Sequence, residues 1–414
     1  MKLLKRILFF ATLFLLIEVS LVVAWNGLLR DYPREHIGSW ILAEWLINYG
    51  GGFVRRGLSG EIILWLANGN HLIDFIYVSA YAFFVSYCVI FLLIFFLSDS
   101  RKPNIAIPAL LVPGGIFQMG LLLEFFTRKE ILFLLLFGCL CLLYLFSLRV
   151  SGSWRQRFLK AMYGLAYIGS IALMFMHEAF LFMAYPFILL LLWVVRSENR
   201  SSLWFRWGCL FYALSIPLIF FFLGMHHGNR EIADGIWQSL PLVDRVLIAP
   251  EAPYSVFGPI ASIGWGMKQN FLTIYGVYAT SGLLYWPIFI LGNAVVLVYL
   301  ALGVTLKDSQ LALRVGCLVL FAVAISALMF LIAADWGRWI AFITNAALML
   351  LFTLSRSEYA NEIKVAEPKW AQYAYSNWTL MAILIYEVCL RMPECCINPQ
   401  FLWMPLGGIF GFLR

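Results

Sequence analysis

Five short stretches place ionisable side chains in a chain dominated by apolar ones. RDYPREH (30–36) carries Asp31 and Glu35, carboxylates able to take a proton from a hydroxyl group. GGGFVRRGLSGE (50–61) sets Arg55 and Arg56 among glycines. Two guanidinium forks match phosphate oxygens, and glycine removes side-chain obstacles to a ligand. EFFTRKE (124–130) adds Arg128 and Lys129, with Glu124 or Glu130 to hold them in place. MHEAF (176–180) puts His177 and Glu178 into an otherwise apolar run from Tyr163 to Val195. Such a pair is costly in a membrane unless it is paired or faces a polar cavity, and it can transfer a proton or bind a hydroxyl. The HExxH spacing of a zinc site is absent. DWGRW (335–339) combines Asp335 and Arg338 with Trp336 and Trp339, whose indole faces suit a sugar ring. Each stretch also has a plainer reading: a turn around Pro33, headgroup anchors, a snorkelling turn, a hairpin cap and an aromatic belt.

The elements that must position these groups are membrane helices. Of 414 residues, 63% are hydrophobic and only 12% charged, with a mean hydropathy of +0.87. A soluble domain cannot bury that much apolar surface, so an all-α, polytopic membrane protein is expected. Spans are predicted at about 7–25, 72–97, 105–123, 131–148, 161–176, 180–195, 207–225, 280–304, 314–333, 340–354 and 377–392. FLWMPLGGIFGFL near the C-terminus is a candidate twelfth, giving 11–12 helices in one integral domain over residues 1–414. The basic N-terminal run reads as an uncleaved first helix. The net charge of +7 reflects loop anchors and not nucleic-acid binding.

With the N-terminus in the cytoplasm, Arg101, Arg149, Arg155, Arg196, Arg206, Lys307 and Arg356 fall on cytoplasmic loops as ordinary anchors. The five stretches and all five histidines then share the outer face. So do two long loops, about 26–71 and 226–279. The first contains SWILAEWLINYG, expected as a helix lying flat in the interface. The cysteines show no metal-ligand spacing. Glu18 and Glu387 fall within predicted spans, and Glu387 has Arg391 at i+4.

On these motifs the chain resembles the multi-spanning proteins of bacterial surface-polysaccharide assembly, with a plan similar to GT-C class glycosyltransferases and O-antigen polymerases. That resemblance implies a polyprenyl-(di)phosphate-linked sugar donor and a glycan or glycolipid acceptor. It also implies inverting transfer at the periplasmic face of the inner membrane, alongside membrane lipids and other assembly proteins. Asp31 or Glu178 would be the base, with Glu35 as substitute for Asp31, and His177 and Asp335 as further catalytic candidates. Arg55, Arg56, Arg128, Lys129 and Arg338 would cradle the donor phosphate, and Trp336 and Trp339 would stack the sugar. The family's acidic pair is spaced more tightly than Asp31 and Glu35, and no large soluble C-terminal domain follows the spans. No cofactor is called for, and a divalent metal is left open. The rival readings are a flippase of lipid-linked saccharide, a glycan acyltransferase centred on His177, and a non-catalytic assembly subunit.

Overall fold

A computed structural model describes residues 39–69, 71–98, 103–121, 127–265, 267–280, 286–305, 319–331, 335–357, 376–389 and 392. The first predicted span, Asp31, Glu35, Glu18, Glu124, Arg391 and the last apolar segment lie outside them. Regular structure among the described residues is entirely helical. Among the described residues, five helices are long and apolar enough to cross a membrane: Leu72–Leu97, Gly152–Met176, Leu203–Met225, Trp286–Gly303 and Trp336–Leu354. The chain is therefore a helical membrane protein.

Trp336–Leu354 is the axis of the bundle. Every residue from Gly337 to Leu354 is buried. A helix that is apolar on all sides has no solvent face to offer, so its neighbours must surround it. Small residues permit close approach: a Cβ built on Gly114 would lie 2.8 Å from that of Ala341.

The predicted span at 105–123 is broken. Helices Pro103–Leu111 and Ile116–Leu121 are separated at Val112–Gly115, where Pro113 lacks an N–H and Gly114 has φ +78°. Carbonyls freed inside a membrane bundle need new donors. Asn345 donates to Gly114 O and to Ala341 O, both at 2.8 Å, and accepts from the Tyr87 hydroxyl at 2.6 Å. Asn293 donates to Pro113 O at 3.0 Å and accepts from the Tyr386 hydroxyl at 2.8 Å.

A second core lies beneath short helices from the long loops. It gathers Trp45, Leu46, Ile47, Val54, Ile63, Ile73, Trp237, Ile248 and Ile260. The 226–279 loop is folded into helices Arg230–Ser239, Leu242–Ile248, Gly258–Ile263 and Met267–Thr280. The expected flat interfacial helix is instead Ser39–Trp45, with Ile41 through Trp45 all buried. It packs against Gly258–Ile263 and Leu242–Ile248, with Trp40 left exposed at its start. Two glycines of GGGFVRRGLSGE let backbones cross closely in this core. A Cβ on Gly51 would meet Ile232 O at 2.1 Å, and one on Gly60 would meet Ile47 O at 2.3 Å. Close backbone crossing alone accounts for glycine at these two positions.

Asn345→Leu leaves buried polar groups without their partner, so stability falls by about 1–3 kcal/mol. Tyr386→Phe, losing one hydroxyl, falls by about 1 kcal/mol. Thermal unfolding of the purified protein in detergent checks both.

Candidate functional site

The sequence-predicted cations and acids meet at one end of the bundle. Arg55 and Arg56 lead into helix Gly57–Leu66, and Arg128 to Glu130 form the turn before Ile131–Ser147. His177 and Glu178 link Gly152–Met176 to Phe180–Met183. Asp335 precedes the axial helix, and Arg338 lies in its first turn. Glu44 arrives from the buried helix Ser39–Trp45, which is tied to the turn by a 2.6 Å bond from Trp45 Nε1 to Thr127 O.

The contacts form a continuous chain. Arg56 grips Glu178 with two nitrogens, from Nε at 2.7 Å and from Nη2, and Arg55 Nη1 lies 3.1 Å from the same carboxylate. Arg56 also reaches Glu44 at 3.8 Å. Glu44 takes Arg128 at 3.2 Å and His177 Nε2 at 2.9 Å. His177 Nε2 lies 3.8 Å from Glu130, Glu130 is 3.2 Å from Arg338, and Arg338 pairs with Asp335. The Ala179 N–H donates to His177 Nδ1 at 3.2 Å, which makes Nε2 the donor to Glu44. Lys129 is fully buried and donates to Met176 O at 3.0 Å and Ser59 Oγ at 3.3 Å.

Burial divides the cluster in two. Glu44, Arg128, Lys129, Glu130, His177 and Arg338 form its sealed floor. Arg55, Arg56, Glu178 and Asp335 form its rim, with side chains 28%, 23%, 14% and 29% exposed. Arg56 holds φ 69°, a left-handed conformation unusual for a bulky residue. Such strain persists only where surroundings fix it, here by the paired contacts of its own guanidinium.

The electrostatics follow from this crowding. Burial would raise the Glu44 carboxyl, but the hydrogen bond from His177 and nearby charges, Lys129 and Arg128 among them, hold it well below the usual range. Burial would likewise raise Glu178, and Arg56 and Arg55 outweigh it, so this carboxyl also sits low. Burial and the Arg56 charge bring Lys129 down to about 8 against the pull of Glu44, Glu130 and Glu178. Ligand atoms of Glu44, Glu130 and His177 lie within 4.8 Å of one another, the spacing of a cation site. Arg128 and Arg338, however, already neutralise those two carboxylates, so the arrangement fits internal ion pairs better than a metal.

The expected tryptophan platform is only half present. Trp339 is 2% exposed and packs on Phe330 at 6.0 Å, so neither ring face is open to a sugar. Trp336 is half-buried between Phe330 and Trp286. Glu44 escaped the sequence reading because SWILAEW was assigned to the interface. Its signal was a lone carboxylate in an apolar run, the same signal that marked MHEAF. Glu387 is buried in the bundle away from this cluster, with no hydrogen-bond partner for its carboxylate among the described residues. No protein-family model, curated protein or solved structure matches the chain.

Glu44→Ala strips Arg128 and His177 of a carboxylate, and removing one partner of a buried pair lowers stability by about 3–5 kcal/mol. Glu44 and Glu178, held below their ordinary 4.5, contribute stability that is fully present above that value. It is withdrawn as pH falls through their folded values. Unfolding temperatures recorded from pH 7 down to pH 3 therefore drop below about pH 4.5, and drop less steeply in Glu178→Gln.

Proposed function

We propose that the protein is a membrane glycosyltransferase of bacterial surface-polysaccharide or glycolipid assembly. It takes sugar from a polyprenyl-(di)phosphate donor at the periplasmic face of the inner membrane and passes it to a glycan or glycolipid acceptor. Its 11–12 helices follow a GT-C-like plan with the N-terminus in the cytoplasm. The reading rests on the motif resemblance and, above all, on one observation: two arginines converge on a single carboxylate at the rim of an otherwise sealed ionic cluster.

A phosphate presents the same oxygen geometry to Arg55 and Arg56 as Glu178 does. The donor phosphate exchanges with Glu178 on the two guanidinium groups. Glu178 then loses the charges that held it low, while its burial, which pushes the other way, remains. The freed carboxylate becomes a better base for the acceptor hydroxyl. The acceptor oxygen bonds to the anomeric carbon, the bond from that carbon to the phosphate oxygen breaks, and the proton passes to Glu178. Negative charge growing on the leaving phosphate is met by Arg55 and Arg56, with Lys129, Arg128 and Arg338 behind them. Asp335 and Trp336 stand at the rim for the sugar, and Asp31 and Glu35 remain candidates from the first loop. His177, clamped by Glu44 and 5% exposed, suits orientation better than the acyl transfer of the rival enzyme reading.

One observation favours a carrier of lipid-linked saccharide. The broken helix at Val112–Gly115, lined by Asn293 and Asn345, has the form of a discontinuous transporter helix. Product formation separates the two, since a carrier releases the donor unchanged.

In liposomes with a lipid-linked sugar donor, Arg55→Ala and Arg56→Ala raise the donor KM about tenfold or more. Glu178→Gln keeps donor binding and lowers kcat about 100-fold or more. Transfer weakens as pH rises through about 8, where Lys129 loses its charge. Unaltered kinetics in all three variants would overturn the reading.

A further inference from the structure

At the other end of the bundle a second site is built from different chemistry. Helix Tyr185–Glu198 starts beside the ionic cluster and runs away from it, ending near Arg196. Helix Leu203–Met225 returns from that far end, with Arg206 in its first turn. Between these helices and the apolar segment Val319–Phe330 lies a groove of about 580 Å³. Its walls are apolar, with Leu189, Leu190, Leu210, Ala213, Phe321 and Ile325 along its length. Arg196, in the last turn of the first helix, and Arg206, in the first turn of the second, both line it, as do Trp193 and Trp207.

Three features say what fills it. First, neither arginine makes an ion pair among the described residues. The adjacent Glu198 is taken by Arg155 at 3.6 Å, the Tyr144 hydroxyl at 2.6 Å and Ser357 at 2.9 Å. Second, Phe321 and Trp207 are 65% and 62% exposed, so the groove faces the surrounding medium, which for this helical surface is lipid. The tryptophans beside the arginines mark the headgroup level. Third, from Arg196 back to Tyr185 the helix rises roughly 16 Å, close to the half-thickness of a hydrocarbon core of about 30 Å. The groove therefore matches one leaflet in length, and its two arginines offer guanidinium donors to the oxygens of one phosphate.

We propose that this groove binds one anionic phospholipid of the bilayer, its phosphate on Arg196 and Arg206 and one acyl chain along Leu189, Ala213 and Phe321. The site is independent of the transferase reading, since it shares no residue with the ionic cluster and its two arginines lie at the opposite end of the helices.

Native mass spectrometry of the full chain, released from nanodiscs of mixed phosphatidylglycerol and phosphatidylcholine, tests it. One phosphatidylglycerol should be retained in preference to phosphatidylcholine. Arg196→Gln with Arg206→Gln should weaken retention about fivefold per arginine, roughly 25-fold together. Ala213→Phe, which fills the groove and leaves both arginines, should also expel the lipid. Equal retention of both lipids by the wild-type protein would overturn the proposal without recourse to any variant. So would undiminished retention in the groove-filled protein, or loss of the lipid to millimolar inorganic phosphate, which would show a bare phosphate site.

Discussion

A charge taken out of water must be matched by an opposite charge at close range, and this requirement shapes one whole end of the molecule. An unpaired ion in such surroundings carries a desolvation cost of several kcal/mol. Arg128, Lys129, Glu130, His177, Arg338 and Glu44 are all buried, and no single helix supplies both signs in the right place. The matching groups come from segments far apart in the chain. The helices that bring them must therefore end at one level and in one register. The helix that carries Glu44 has to be drawn under a roof of short helices, and the chain at Arg56 has to enter its helix through a left-handed residue.

The same low dielectric acts at the middle of the bundle with neutral groups. The axial helix can be enclosed on every side because its alanines admit close neighbours and because Thr344, Asn345 and Thr353 turn their polar atoms to carbonyls or other side chains. The opened backbone at Pro113 and Gly114 is tolerated only because Asn293 and Asn345 supply donors. The axial helix thus links the two polar systems. Its first turn presents Arg338 to the cluster, and Asn345, two turns on, anchors the broken helix. A shift of this helix along its axis would disturb both together.

Much of this was legible from residue types. Hydropathy located Leu72–Leu97, Leu203–Met225 and the other long helices, since a membrane span needs little beyond length and apolarity. Interruptions of apolar runs marked Arg128, Lys129, His177 and Glu178, because an ionisable side chain in such a run needs a partner. What escaped is set by tertiary packing. The Ser39–Trp45 helix looked interfacial because nothing local announces the helices that cover it, and Glu44 was lost with it. The glycines of GGGFVRRGLSGE offered freedom for a ligand or for packing, and the crossings of Gly51 at Ile232 and Gly60 at Ile47 arise only in the folded chain. Trp339 was expected to stack a sugar because an indole face suits one, yet its position in the axial helix turns it inward.

The pairing of Arg56 with Glu178 is where the sealed floor meets the rim, and a double-mutant cycle measures it most directly. Unfolding free energies of the wild type, Arg56→Met, Glu178→Gln and the double variant would be compared in one detergent at pH 7. The account predicts that the double variant loses less than the two single variants combined, by about 1–3 kcal/mol. Additivity within about 0.5 kcal/mol would mean that the two side chains do not hold one another, and would contradict it.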